Sequence, residues 1–312
     1  MATLLLGMIL SIITSTQDRK HIFANMITKG FYYIFLIPIS LLPYPVLYLI
    51  SDFLFFIFYR IIGYRKEVVF TNLKNSFPDK TNKELKIIMC DFFKHFCDLI
   101  MEGVKGFTIS ESQLRKRLVV LNPEFSNQYA DKGKSIIFVG GHYNNWEMCA
   151  QAFAMYSNHK CIGIYKPLSN AFLNQKISES RSKYGMHLIS MKQTKRSFEE
   201  KTKAKAIVFG SDQNPSNPKR AYWMEFLNQD TAVLFGVERY AKEYDWPVVY
   251  VSIKKVKRGY YEVEYSLITE NPTTEPYGKI TEDYTKRIEK DIINLPQYWL
   301  WTHRRWKHKK EK

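Results

Sequence analysis

This 312-residue sequence predicts an α/β fold, a mostly parallel sheet flanked by helices, with an apolar helical segment ahead of it. Three observations carry that expectation. Short apolar runs at 135–139, 161–165, 206–209 and 247–253 are separated by stretches long enough to hold helices, which is the alternation that parallel strands require. A long apolar run at 31–62 stands apart in front of them. With 46% hydrophobic and 24% charged residues, the chain can bury one large domain plus a short accessory segment, and disorder is not the default.

The first fifteen residues contain a short apolar stretch at 4–13, followed by Asp18, Arg19 and Lys20. It lacks the preceding basic residues and the small-residue cleavage site of a secretory signal, Met26 is an alternative start, and no function attaches to it. The run at 31–62 carries one acid, Asp52, and one base, Arg60. Its length permits a spanning helix. Pro38, Pro43 and Pro45 interrupt it, however, which favours two shorter apolar helices meeting near 41–45. Tyr32, Tyr33, Tyr44, Tyr48 and Tyr59, with Arg60, Arg65 and Lys66 nearby, suit a pair lying in one leaflet of an anionic membrane rather than crossing it. The alternative is an apolar layer packed on a soluble domain. The division expected is 1–62 for the membrane-associating segment and 63–312 for the domain.

A polar, turn-rich stretch at 72–82 leads into 83–105, where Leu85, Ile88, Met89, Phe92, Phe93, Phe96, Ile100, Met101 and Val104 recur at helical spacing. Residues 170–184 suit a helix between strands. Lys257, Arg258 and Gly259 turn into the alternating 260–268, predicting a hairpin at the sheet's edge. A last helix at 281–294 carries Tyr284, Ile288 and Ile292 on one stripe.

A net charge of +16 calls for an anionic partner, whether nucleic acid, lipid headgroups or an acidic carrier. No zinc-finger spacing or RNP-like aromatic motif supports nucleic acid. Cys90, Cys97, Cys149 and Cys161 fall at irregular intervals, which suggests reduced thiols and no metal site.

The chemistry concentrates in FVGGHYNNWEM at 138–148, where a strand ends in two glycines followed by His142 and, five residues on, Glu147. Sites form at such strand ends in open α/β sheets. Five residues apart on one helix the two would diverge, but they can meet if His142 lies on the turn and Glu147 in the first turn of the next helix. Asn144 suits the N-cap, with Glu147 at capping-box spacing, so the plainer alternative is that Glu147 only caps. A paired imidazole and carboxylate supply the base that acyl transfer to a hydroxyl needs.

The blocks GGHYNNWE at 140–147, YKPLSN at 165–170, Arg181 with Gly185, SDQNP at 211–215 and LPQYWLWTHRRW at 295–306 together resemble the lipid A biosynthesis acyltransferases, the late lauroyl and myristoyl transferases of Gram-negative bacteria. The resemblance runs from about residue 33 to 306. It implies a glycerol-3-phosphate acyltransferase-like fold, a place on the cytoplasmic face of the inner membrane, and an acyl carrier protein or acyl-CoA thioester as donor. It also implies a lipid acceptor, a lipid A precursor or a related glycolipid, aminolipid or lysophospholipid, with no metal and no cofactor. By the family's motif His142 is the base and Glu147 its partner. Arg181, Asp212, Gln213, Lys166 and Asn145 are the candidates for binding substrate or stabilising the oxyanion. Two departures stand out, since the family has Gly where this chain has Asn144 and Arg where it has Lys166, which weakens bidentate anion recognition at position 166. Plainer readings accompany each: Arg181 as a solvated helix residue, Asp212 and Gln213 as a turn, and Lys166 as surface. Trp299, Trp301 and Trp306 with Arg304 and Arg305 form either an interfacial belt or core ahead of a basic tail. A non-catalytic membrane protein that binds lipid or carrier is the competing function.

Overall fold

The structure, a computed structural model, describes residues 26–200 and 203–310. The apolar stretch at 4–13 lies outside the described residues. The apolar segment folds as expected into two helical pieces. The first runs through a π-helical stretch, Tyr32–Leu36, into α1 (Ile37–Leu41); the second, α2 (Tyr44–Phe55), continues into π-helical Phe56–Ile61. The break has a local cause. Leu42 precedes Pro43 and is driven to extended geometry (φ −59°, ψ 148°), while Pro45 sits in the first turn of α2, where a missing donor costs nothing.

Next come α3 (Lys66–Ser76) and the long α4 (Asn82–Lys105). Thr81 and Glu84 close a capping box at the start of α4, and its apolar stripe, including Leu85, Phe92, Phe93, Phe96 and Val104, is buried. α2 packs on α4 through Leu47 and is tied there by Ser51 Oγ, which donates to Asp98 Oδ1 at 2.8 Å.

The rest alternates strand and helix: α5 (Glu111–Arg117), β1 (Leu118–Val120), α6 (Glu124–Asp131), β2 (Ile136–Gly140), α7 (Trp146–Ala152), β3 (Lys160–Tyr165), α8 (Ala171–Ser182), β4 (His187–Ser190), α9 (Thr194–Glu199) and β5 (Lys205–Gly210). A small hairpin of β6 (Tyr222–Phe226) and β7 (Gln229–Val233) follows, then α10 (Gly236–Tyr244), β8 (Val248–Lys257), β9 (Tyr260–Thr269) and α11 (Lys279–Asn294). The main sheet has the order β1-β9-β8-β2-β5-β3-β4, and every neighbour pair is parallel except β8 and β9. The protein is thus α/β, with a mostly parallel sheet between helices.

β2 lies at the centre of this sheet, and its run Ile136, Ile137, Phe138, Val139 is buried on both faces, as a central parallel strand must be. Ile137 and Val139 face the core shared with α4 and α11; Ile136 and Phe138 face the core shared with α7. The predicted hairpin forms, but not at the edge: β1 pairs in parallel outside β9. Three residues of LVV are too short a signal to register as a strand.

The C-terminal tryptophans are core. Trp299 and Trp301 are buried and stand perpendicular at 4.7 Å, and Trp306 Nε1 donates to Thr231 Oγ1 of the small hairpin at 2.7 Å. The interfacial belt does not form, and Arg305 is drawn inside with them.

Candidate active site

Two adjacent parallel strands end at the same level. β2 and β5 pair Gly140 with Gly210, and Ser211 N donates to Gly140 O at 3.0 Å just beyond. Two residues past each terminal glycine stand His142 and Asp212, so the register alone places them face to face at the carboxyl edge of the sheet.

Their contact is close and oriented. His142 Nδ1 lies 2.5 Å from Asp212 Oδ1, and the His142 backbone N–H donates to Asp212 Oδ2 at 2.8 Å. Trp299 Nε1 donates to the same Oδ2 at 2.7 Å. Asp212 is buried, which alone would raise its carboxyl pKa; the His142 imidazole and these donors more than offset that and hold it at about 2. A carboxylate on Nδ1 selects the tautomer whose Nε2 is the free base. The ring stays partly open, its side chain 23% exposed against 2% for Asp212. Glycine at 210 makes this possible, because a Cβ there would sit 3.1 Å from His142 Cε1.

Glu147 is not the carboxylate on the imidazole. The N-cap of α7 is Asn145, one residue later than expected, with its Oδ1 accepting from Met148 N at 2.8 Å. Asn144 instead takes the left-handed conformation at φ +52°, which asparagine tolerates and which explains a glycine at this place in the family, while its Nδ2 donates to Ile253 O at 2.7 Å. Shifting the helix start by one residue turns Glu147 about 100° around the axis. It meets Arg181 of α8, whose Nε and Nη2 donate to its two oxygens at 2.8 and 2.5 Å. Burial opposes the charge on Glu147, but its charged neighbours, Arg181 foremost, hold the carboxyl well below its usual range. The edge of Trp146 packs 5.2 Å from the imidazole, between centroids.

The other candidates scatter. Arg181 is neither solvated nor open to substrate, since both arms of its fork go to Glu147. Asn145 is buried, and its Nδ2 donates to Glu102 Oε2 at 2.6 Å, so it joins helices rather than facing a ligand. Gln213 is half-buried beside Asp212. Lys166 is exposed in the loop after β3. Reading along the chain missed Trp299 and Gly210, and missed the pairing of Asp212 with His142. The signal was present in two apolar runs that end alike, VGGH and FGSD, with the polar residue two places past the first glycine.

Fold and site together define an α/β protein in which a buried carboxylate steers an imidazole that opens to solvent at the sheet's carboxyl edge. The comparisons make that specific. Residues 17–308 match the model of the bacterial lipid A biosynthesis acyltransferase family, and the chain belongs to that family. It is 22% identical over 274 residues to the lipid A biosynthesis lauroyltransferase of Escherichia coli (strain K12), covering 86% of this chain and 88% of the relative. It is 21% identical to the lipid A biosynthesis acyltransferase of Haemophilus influenzae (85% and 86% covered), and 20% identical to the lipid A biosynthesis palmitoleoyltransferase of Escherichia coli (85% and 86% covered). The protein is an acyltransferase.

Proposed function

We propose that this acyltransferase moves a fatty acyl group from a thioester, carried by acyl carrier protein or coenzyme A, to a hydroxyl of a lipid A precursor, with His142 as general base. The observation that carries the reading is the 2.5 Å contact between Asp212 and His142 Nδ1, which leaves Nε2 to take the acceptor's proton. The alkoxide then attacks the thioester carbonyl, the tetrahedral intermediate expels the thiolate, and the proton on Nε2 passes to the leaving sulfur. Asp212 stabilises the imidazolium formed in between. Glu147 and Arg181 act as one neutralised unit that holds α7 against α8 beside the site. An acidic carrier protein suits the net charge of +16.

The sheet with its histidine at the end of a central strand supports a glycerol-3-phosphate acyltransferase-like fold. Location on the cytoplasmic face of the inner membrane, with 1–62 as the attaching element and 63–312 as the catalytic domain, is supported by the apolar side chains left exposed there. Ile34, Phe35, Leu49, Phe53, Phe56 and Ile61 are each more than half exposed. The segment Tyr44–Ile61 is long and apolar enough to cross a membrane, but the proline break and the ties of α2 to α4 favour lying along the surface.

The test supplies purified protein with radiolabelled acyl carrier protein thioester and a lipid A precursor, and follows labelled lipid by thin-layer chromatography. His142→Ala and Asp212→Ala are each expected to lower turnover by about 10²–10⁴-fold. Undiminished turnover in His142→Ala would remove the histidine from the mechanism.

A further inference from the structure

Arg305 is only 3% exposed, yet among the described residues it has no ion pair and no side-chain hydrogen-bond partner, and its Nε is sealed from solvent. Only its backbone N–H is used, donating to His303 O at 2.9 Å. An unpaired buried cation is costly, and such a charge persists where something anionic is meant to meet it. Nε alone of its three nitrogens is wholly sealed, so the two Nη remain for a ligand.

Its place in the fold says which ligand. The guanidinium carbon lies 6.0 Å from the Phe226 ring, Phe226 packs 5.9 Å from Trp299, and Trp299 donates to Asp212, so two rings link Arg305 to the carboxylate that holds His142. The groups around it leave its charge unanswered. Asp212 is spent on His142 and Trp299. His303 takes a backbone N–H from Asn214 on Nε2 at 3.2 Å and is therefore neutral. Arg65, held by Thr302 O at 2.9 Å, adds a second cation to the same C-terminal segment. Burial lowers the Arg305 pKa to about 10, with Asp212 partly opposing, so the group is still charged at neutral pH.

We propose that Arg305, joined to the His142–Asp212 pair through Phe226 and Trp299, is the binding site for a substrate phosphate. This rests on the reading above, in which both substrates offer that chemistry: the acceptor as a phosphorylated lipid headgroup, the donor as the phosphodiester of its pantetheine arm. A guanidinium suits phosphate through paired N–H donors, which a lysine cannot match.

The experiment has a binding arm and a kinetic arm. In the first, inorganic phosphate should raise the Tm of the wild-type protein above the value in chloride at equal ionic strength, and Arg305→Gln should abolish the difference. Without phosphate, Arg305→Gln should melt no lower than wild type, because an uncompensated charge is gone. In the second arm, acyl carrier thioester is compared with the phosphate-free N-acetylcysteamine thioester, and a phosphorylated acceptor with its dephosphorylated form. The kcat/KM loss in Arg305→Gln should be at least tenfold larger for the phosphate-bearing member of one pair, and that pair names the source; Arg305→Lys should recover part of it. Equal losses within both pairs, or an equal phosphate response in wild type and variant, would overturn the site. So would failure of both variants to fold, which would make Arg305 structural. Wild type that responds to phosphate yet makes no acylated lipid would instead count against the acyltransferase substrates and leave the phosphate site standing.

Discussion

Asp212 and His303 both titrate outside their ordinary ranges, and each makes stability depend on pH in a definite direction. Asp212 falls from 3.8 to about 2, so its contribution is complete above about pH 4 and drains away as the pH drops towards 2. His303 is depressed from 6.5 to about 4, chiefly by burial with Asp212 opposing. Between those values the unfolded chain takes up the proton and the folded one does not. Stability is therefore complete above about pH 6.5, falls through the window, and levels off below 4, by about 3 kcal/mol at most. Urea titrations at intervals from pH 7.5 to 4.5 should show that decline, and His303→Gln should flatten it. The pair Glu147 and Arg181 behaves differently because both charges are buried together, with side chains 17% and 18% exposed. Glu147→Gln alone strands the Arg181 charge and should cost about 3–5 kcal/mol, whereas adding Arg181→Met should recover most of it. A double-mutant cycle from denaturant melts checks this; additive losses would mean the pair is not coupled.

At the scale of elements, the site is made by where strands stop. β2 and β5 end level, and the glycine at each tip lets the next residues cross over the strand end. Gly210→Ala would drive a methyl into the imidazole edge, since the nearest atom of His142 would be 3.1 Å away. Turnover should fall at least tenfold while the Tm moves little, and unchanged kcat would show that the ring has room to shift. The same elements explain what was legible in the chain. β2, β3, β5 and β8 were visible because central parallel strands are buried on both faces and read as unbroken apolar runs. β4, with HLIS, and β7, with QDTAV, carry polar residues at half their positions and lack that signal. α4 was visible from its stripe. The site was half legible: His142 announces itself after two glycines, and Asp212 was marked by family likeness. Its pairing depends on the register of two strands 70 residues apart, which no local pattern encodes. Glu147 misled for a local reason, because two successive asparagines, Asn144 and Asn145, both suit an N-cap, and a shift of one turns the next carboxylate about 100° away.

Across the whole molecule, the exposed apolar side chains of the first two helices and the net charge of +16 both fit the proposed membrane attachment, in which apolar burial would give hold and charge attraction. Leu49→Ser with Phe53→Ser should weaken co-sedimentation with anionic vesicles several-fold and leave the Tm unchanged, because both side chains are more than 60% exposed. Wild-type binding should also weaken as salt is raised. Retained binding in the double variant would locate the attachment elsewhere. The union of His142 with Asp212 has a further meaning in time. Neither strand tip holds the paired imidazole and carboxylate by itself, and the two are brought together only by closing a loop of 70 residues. A nascent or partly folded chain therefore carries both residues without the pair, and under the proposed mechanism acyl transfer begins only when the centre of the sheet has zipped.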